Sequence, residues 1–118
     1  SRVSDADFSS DAFKWLTGRT INVGNASTRA LRVNFVGELG WELHHPIEYQ
    51  NTIFDALVAA SDGLGHDGGG ISFCGMKAMD SLRMEKSYRM WGQDLTRDYT
   101  VFEAGLDRFV HLDKGDFV

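Results

Sequence analysis

The sequence predicts an α+β domain in which an antiparallel or mixed sheet packs with two main helices. Two segments with helical spacing of apolar residues alternate with short segments that are typical of strands. The 118 residues, 42% of them hydrophobic, are enough to form one hydrophobic core without stabilising disulfides or metal ions. We therefore expect one folded unit whose strands come before, between and after the two helices.

The first third of the chain is predicted to hold a short helix and two strands. Residues 8–16 (FSSDAFKWL) place their apolar side chains roughly on one side, which predicts a short helix. Residues 20–24 (TINVG) predict a short strand that ends at its glycine. Residues 30–37 (ALRVNFVG) alternate apolar and polar side chains and predict the clearest strand of the chain.

A turn that contains glycines is then predicted to reverse the chain into the second strand of a hairpin. Residues 37–40 (GELG) supply the turn, and residues 41–45 (WELHH) form the returning strand, which a proline stops. Glu38 lies in the turn and is predicted to be solvated. Glu42 lies in the strand, on the face opposite its two apolar neighbours, and the pattern leaves open whether it faces solvent or a pocket.

The remaining elements are predicted from spacing and from glycine boundaries. Residues 48–61 (EYQNTIFDALVAAS) and 76–87 (MKAMDSLRMEKS) show helical spacing of apolar side chains. Residues 70–75 (GISFCG), 88–95 (YRMWGQDL) and 108–113 (RFVHLD) read as strands.

The second helix carries the other candidate functional residue, an arginine. Met76, Met79 and Leu82 are expected to face inward, and Arg83 borders that stripe. Arg83 has two interpretations that the pattern does not separate. It pairs with Asp80 one helical turn away, or it is partly buried and meets a carboxylate in a bidentate contact.

Composition and motifs argue against several classes of function. The net charge of −5 and the scattered basic residues do not suit a nucleic-acid partner. No apolar stretch reaches the roughly 20 residues that span a membrane. His44 and His45 are adjacent in a strand and cannot chelate one ion together, so no metal site is predicted. Residues 63–68 (GLGHDG) follow a helix and precede a strand, the reverse of a dinucleotide-binding loop.

Three long motifs occur in series: FVGELGWELHHP, MDSLRMEKSYRMWGQDLT and FEAGLDRFVHLDKGDF. They resemble the folate-binding aminomethyltransferase family of the glycine-cleavage T-protein. The tryptophan variant of the first motif and the stretch EKSYRMWGQDL are similar to the C-terminal half of dimethylglycine and sarcosine dehydrogenases. The resemblance runs from about Ile21 to the last residue. It implies a ferredoxin-like arrangement within a T-protein-type folate-binding domain.

The resemblance also implies a tetrahydrofolate pocket and four cofactor-binding residues. The strand glutamate that binds the pterin edge corresponds to Glu42, and the arginine of the Leu-Arg-hydrophobic-Glu helix corresponds to Arg83. Phe35 stands where the family often has tyrosine, so it keeps a ring for stacking but lacks the hydroxyl. Trp91 stands where many relatives have tyrosine. No catalytic residue is expected in this segment.

Parts of the family's domain are expected to lie outside the chain. Residues 1–118 correspond to a partial folate-binding aminomethyltransferase domain, with the catalytic carboxylate upstream and a C-terminal barrel downstream. Folate and a small N-methyl amine are the expected ligands of the parent protein, and FAD is expected only in its N-terminal part. The chain alone is expected to lack transferase activity and to self-associate through apolar surface. The expected compartment is the bacterial cytoplasm, or the mitochondrial matrix in a eukaryote.

Two other functions within this family stay open. Non-catalytic folate-binding relatives of the iron–sulfur assembly type carry a cysteine in a Lys-Gly-Cys-Tyr-type stretch, and the matching Lys86-Ser87-Tyr88 has none. A folate-dependent demethylase acting on a sulfonium or an aryl methyl ether is the other alternative. Substrate choice in such an enzyme is set largely outside this segment.

Overall fold

The computed structural model describes residues 3–62, 64 and 70–116. Within these ranges the chain forms three strands, which pair antiparallel in the order β1-β2-β3, and two α-helices. The strands are β1 (Gly18–Val23), β2 (Ala26–Leu31) and β3 (Glu42–His44). The helices are α1 (Gln50–Ser61) and α2 (Met76–Glu85), with short 3-10 helices at Ile47–Tyr49 and Asp107–Phe109. The predicted α+β class with an antiparallel sheet and two main helices is confirmed.

A tight hairpin joins β1 to β2. The register runs from Gly18 opposite Leu31 to Val23 opposite Ala26, which leaves a two-residue loop. The first residue of that loop, Gly24, has φ +59°, a left-handed conformation that glycine adopts at little cost and that tight hairpin turns use. The strand predicted over residues 20–24 is therefore present.

The strand predicted over residues 30–37 is wrong in its bounds, because β2 ends at Leu31. The backbone N–H of Arg32 donates to the carbonyl of Thr17 at 2.9 Å, so this residue pairs with the segment before β1. The N–H of Val33 then donates back to the carbonyl of Leu31 at 3.0 Å, which bends the chain out of the sheet. Residues 32–41 are consequently a loop, and the predicted hairpin forms ladder pairs only at its ends away from the turn, Ala30 with Leu43 and Leu31 with Glu42.

The core lies on one face of the sheet. Its centre is Phe13, whose side chain is 0% exposed and whose ring lies 5.9 Å from that of Phe8 and 6.2 Å from that of Trp41. Burying such an aromatic side chain is among the largest single contributions to a small core. The buried apolar residues are Phe13, Ile21, Val23, Ala26, Ala30 and Ile53.

The helix predicted over residues 8–16 does not form. Asp7 Oδ1 accepts the N–H of Ser9 at 2.8 Å, and Ser9 Oγ accepts the N–H of Ala12 at 3.3 Å. Such side-chain bonds to nearby backbone compete with helical ones. One turn remains, in which the N–H of Phe13 donates to the carbonyl of Ser9 at 2.9 Å. Leu16, with φ +59°, lies in the next turn. The apolar spacing in this segment instead delivers two aromatic side chains to the core, one fully buried and one packed against it.

Both main helices are confirmed, but the inward stripe predicted on α2 is wrong. Met76 is 66% exposed and Leu82 is 39% exposed, whereas Arg83 is only 3% exposed. The buried position on this helix is therefore the cation, which has carboxylate partners, and not the methionines. None of the helices in the described ranges is long and apolar enough to cross a membrane.

The three late strands predicted from apolar runs are absent from the described residues. Residues 70–75 run beside α1, where the Phe73 ring stacks on Phe54 at 5.5 Å and the N–H of Ile71 donates to Ser61 Oγ at 3.2 Å. Residues 88–95 form a turn, and residues 108–113 contain part of a 3-10 helix. The G-x-G-x-x-G segment, residues 63–68, lies outside the described residues except for Leu64.

The chain is more extended than a compact domain of its length. Its Cα radius of gyration is 18.5 Å, with extents of 53 × 30 × 29 Å, whereas a compact chain of this size has about 13 to 14 Å. Among the residues that the structure describes, the six buried apolar ones lie between positions 13 and 53. The part of the chain that includes α2 therefore presents much of its apolar surface to solvent.

Candidate functional site

Glu42 lies on the outer face of the sheet, away from the core. It is paired with Leu31, and the residue two positions later, His44, is paired with Arg29. Directly opposite residues of an antiparallel pair share a face, so these four side chains lie together, while Leu43 packs against the core. Glu42 Oε2 lies 3.2 Å from His44 Nε2. The carboxylate is more than half exposed and accessible to a ligand.

The loop that carries Phe35 is held against the end of α2. Asn34 Oδ1 accepts the N–H of Gly37 at 2.5 Å, which tightens the loop where Gly37 has φ +75°. A Cβ atom at Gly37 would lie 2.7 Å from Lys86 Cγ, so glycine is required for this approach. Lys86 Nζ also pairs with Glu38 Oε1 at 3.0 Å. The hydrogen bond and charge of Glu38 raise the pKa of Lys86 above 10.5.

Arg83 is saturated by partners within the protein. Its Nη2 lies 2.6 Å from Asp80 Oδ1, and its Nη1 donates to the carbonyl of Tyr88 at 2.9 Å and to Asp94 Oδ2. The pair with Asp80 within the helix is therefore present, and Arg83 is buried as the second interpretation expected, but its contact with Asp94 joins one nitrogen to one oxygen and is not bidentate. The hydrogen bond that Arg83 donates to Asp80 is the largest cause that raises the pKa of Arg83, with a smaller contribution from Asp94.

Asp94 organises the turn over residues 88–95. Its Oδ2 accepts the N–H of Met90 at 2.8 Å, and the carbonyl of Met90 accepts the N–H groups of Asp94 and Leu95 at 2.9 and 3.1 Å. The bond from the Met90 N–H, followed by that from Arg83, lowers the pKa of Asp94 below 3.8. Trp91 sits at the tip of this turn with its side chain 85% exposed.

Two cavities border the described residues. The larger, about 460 Å³, lies between the Trp91 turn and residues 95–106. The smaller, about 290 Å³, lies on the core side of the sheet, between Phe8, Trp41 and Leu57. Of the four predicted cofactor-binding residues, only Trp91 lines either of these cavities.

The four predicted residues make no hydrogen bond or ion pair with one another in the parts of the chain that the structure describes. Glu42 is on the outer sheet face, Phe35 is half-buried in the following loop, Arg83 is buried and Trp91 is exposed. Three of them are joined indirectly, because Arg83 ties the Trp91 turn to α2 and Lys86, just past this helix, holds the Phe35 loop. The positions therefore remain predictions as cofactor contacts.

Sequence reasoning missed three residues that shape this region. The contact of His44 could have been predicted from the sequence, because residues two apart in a strand share a face and His44 therefore lies beside Glu42. The contacts of Lys86 and Asp94 could not have been predicted, because their partners lie elsewhere in the chain and outside any regular spacing. Only the folded loop and turn bring these charges together.

This region defines a segment of an α+β domain with an accessible strand carboxylate and an aromatic turn tied to one helix. The chain belongs to the GCVT N-terminal domain family, which it matches over residues 1–114. The predicted membership of the glycine-cleavage T-protein family is thereby confirmed.

The relatives that match the chain include dehydrogenases and an aminomethyltransferase. It is 38% identical over 118 residues to human mitochondrial dimethylglycine dehydrogenase, covering 99% of this chain and 13% of that protein. It is 43% identical over 104 residues to human mitochondrial sarcosine dehydrogenase, covering 88% of this chain and 11% of that protein. It is also 37% identical over 87 residues to an aminomethyltransferase of Thermosynechococcus vestitus, covering 74% and 21%. The chain thus spans only a small part of each relative.

Proposed function

We propose that the chain forms part of the folate pocket of a tetrahydrofolate-dependent one-carbon transferase. The unit transferred is an aminomethyl or methylene group, and the parent protein is a flavin-linked dehydrogenase of the dimethylglycine or sarcosine type. Membership of the GCVT N-terminal domain family supports the transferase domain, and the dehydrogenases named above support the parent. In this proposal residues 1–118 are a partial domain.

The observation that carries the proposal is the exposed carboxylate of Glu42 on a strand. Pairing of Glu42 with Leu31 fixes its backbone, and the contact with His44 orients its side chain. An ionised carboxylate only accepts hydrogen bonds, and its two oxygens match two adjacent N–H groups on the edge of a pterin ring. The acceptor chemistry of this residue therefore fits the cofactor.

Aromatic side chains supply the surfaces that a planar ring system needs. Phe35 presents a half-buried ring in a loop that its glycines bring close to α2, and Trp91 presents an almost fully exposed ring. Stacking on such rings is favourable and needs no hydroxyl, so Phe35 serves without the tyrosine oxygen. These two residues fit a stacking role.

Arg83 fits an indirect role. Its guanidinium is buried and already donates to Asp80, Asp94 and the carbonyl of Tyr88. We therefore assign it to support of the Trp91 turn, with no direct bond to the cofactor. Bound tetrahydrofolate would supply the nitrogen that accepts the one-carbon unit. The contribution of this segment is to bind and orient it, which lowers the entropic part of the barrier.

The test is calorimetric titration of the full-length parent with 5-formyltetrahydrofolate, a stable reduced folate. Loss of a hydrogen bond to a charged group costs about 1.5 to 3 kcal/mol, so Glu42→Gln should weaken binding by about tenfold or more. Glu48→Gln, which changes an exposed carboxylate at the start of the 3-10 helix before α1, is the matched control. Equal affinities of the Glu42→Gln variant and the unmodified protein would remove Glu42 from the pterin site.

A further inference from the structure

The larger cavity has the size and composition of a small-molecule site. Its volume of about 460 Å³ lies within the range of roughly 300 to 1,000 Å³ that such sites occupy. Its walls are mainly apolar, with Leu95 and Leu106 among them. A few polar groups converge on these walls, as is usual where a ligand is held in one orientation.

Two aromatic rings of this cavity are open to solvent. Trp91 is 85% exposed and Tyr99 is 58% exposed, and both line the cavity. Aromatic rings exposed together on a concave surface are typical of a binding site, since burying them on a ligand is favourable. A planar aromatic ligand offers the largest contact with such rings.

Arg97 gives the cavity its charge. It is the single charged residue in the lining, and within the described part of the chain it forms no ion pair. A guanidinium on a cavity wall is suited to a carboxylate, which it can bind through two parallel N–H bonds.

Two carboxylates of this segment accept hydrogen bonds from donors of their own loop. Asp98 Oδ2 accepts the hydroxyl of Thr96 at 3.1 Å, and Glu103 Oε2 accepts both the N–H and the hydroxyl of Thr100 at 2.8 Å. These bonds hold Asp98 and Glu103 out of the lining, although both add negative charge to the surroundings. The cation on the wall is therefore available to a ligand.

We propose that this cavity binds a planar aromatic anion, with the rings of Trp91 and Tyr99 against the ligand's ring and Arg97 on its carboxylate. The proposal does not depend on Glu42 or on a folate. It assigns Tyr99 and Arg97 to a site that the family resemblance did not indicate. Trp91 is shared with the proposed folate pocket.

The experiment is titration of the 118-residue chain with 2-naphthoate, followed by calorimetry and by chemical-shift changes in NMR spectra. The neutral 2-naphthamide and the cationic 2-naphthylmethylamine are titrated in parallel. We expect saturable binding of naphthoate, weakened about tenfold or more by Trp91→Ala and by Arg97→Met. Arg97→Met should leave naphthamide binding unchanged, because that probe has no charge to lose.

Matched controls come from the same chain. Trp15→Ala removes another exposed tryptophan, and Arg108→Met removes an exposed arginine that stacks on Phe109 outside the cavity. Both should bind naphthoate as the unmodified chain does. Trp91 and Arg97 are exposed, so their substitution should preserve the circular dichroism spectrum.

The inference would be overturned by no saturable binding of naphthoate, by binding that Trp91→Ala leaves unaffected, or by tighter binding of the amine than of naphthoate. The last result would show that the carboxylates, and not Arg97, set the preference. Glu42→Gln should leave naphthoate binding unchanged. A loss in that variant would mean that the cavity is not an independent site, whereas folate affinity in the parent tests Glu42 by itself.

Discussion

Arg83 and Asp94 are 11 residues apart in the chain and form an ion pair that fixes the Trp91 turn to α2. The same carboxylate accepts the N–H of Met90, so one side chain closes the turn and attaches it to the helix. Asp80 completes the set of partners around the guanidinium. Disrupting this pair should therefore displace the turn as a unit.

The first prediction concerns acid stability. The folded-state pKa of Asp94 is below 3.8, so its ionised form contributes stability above that pH, and the contribution is lost as the pH falls through the lower folded value. In Asp94→Asn this contribution is missing at every pH. We therefore expect the difference in unfolding free energy between wild type and variant, measured by urea unfolding, to be smaller at about pH 3 than at about pH 6.

The control for that series is Asp55→Asn, an exposed carboxylate on α1. The unfolding free energy of Asp55→Asn should differ little from that of the unmodified chain at both pH values. A wild type-to-Asp94→Asn difference that is the same in acid and near neutrality would contradict the role assigned to the ionised carboxylate.

The second prediction concerns the glycine that lets the Phe35 loop approach α2. Gly37→Ala must place a Cβ 2.7 Å from Lys86 Cγ and adopt φ +75°. The left-handed conformation alone costs about 1 to 2 kcal/mol. Gly24→Ala is the matched control, since its φ is +59° and its Cβ would meet no atom within 4 Å. Gly37→Ala should lose more unfolding free energy than Gly24→Ala.

The excess loss should depend on the lysine stem. In a Lys86→Ala background the contact with the new Cβ largely disappears, so Gly37→Ala and Gly24→Ala should then cost similar amounts. An excess that persists in this background would place the clash elsewhere.

The third prediction concerns the aromatic centre of the core. Phe13→Ala leaves a cavity under the sheet and should lower the unfolding free energy by about 3 to 5 kcal/mol, measured by urea denaturation. Phe102→Ala removes a ring that is exposed, so it should change stability by only about 0.5 kcal/mol. Similar losses in the two variants would show that Phe13 does not anchor the core.

The fourth prediction separates binding from folding at the outer sheet face. Glu42 and His44 are both more than half exposed, and exposed ion pairs contribute little to stability. Glu42→Gln and His44→Gln should each stay within about 0.5 kcal/mol of the unmodified chain in urea unfolding. A large destabilisation by either would indicate a structural role and would undermine the interpretation of reduced folate binding.

The fifth prediction concerns association of the chain with itself. Large apolar side chains beyond α2 are exposed, among them Trp91, Phe102 and Phe109. Exposed apolar surface of this kind promotes association. Sedimentation velocity should show an average mass that rises with concentration, and a Phe102→Ser, Phe109→Ser double variant should reduce the rise. A chain that stays monomeric up to high concentration would rule this out.

Periodicity was a reliable guide where one element buries one face. It located α1, α2 and the first strand, because their boundaries are set within a few residues. It failed for residues 8–16 and 30–37, where Ser9 and Arg32 bond to backbone groups that a periodic pattern does not reveal. It also predicted the wrong buried side of α2. The buried side chain of this helix is an arginine paired with two carboxylates, and not the methionines.

The site was predictable to a similar extent. Glu42 and Trp91 came from a family resemblance, and the structure places both in accessible positions. The partners that hold their surroundings, Lys86 and Asp94, depend on contacts between distant segments. No local spacing encodes such contacts, so they had to be seen in the folded chain.

The attachments of α2 have a consequence for its motion. Within the described residues, the ion pair from Arg83 to Asp94 attaches this helix to another segment, while its first residue follows Gly75, which provides no side-chain cap. Lys86, just past its last turn, adds a second attachment at the same end. A helix that is held at its C-terminal end frays from its N-terminal end. Amide hydrogen exchange should therefore be fastest near Met76 and become progressively slower towards Glu85.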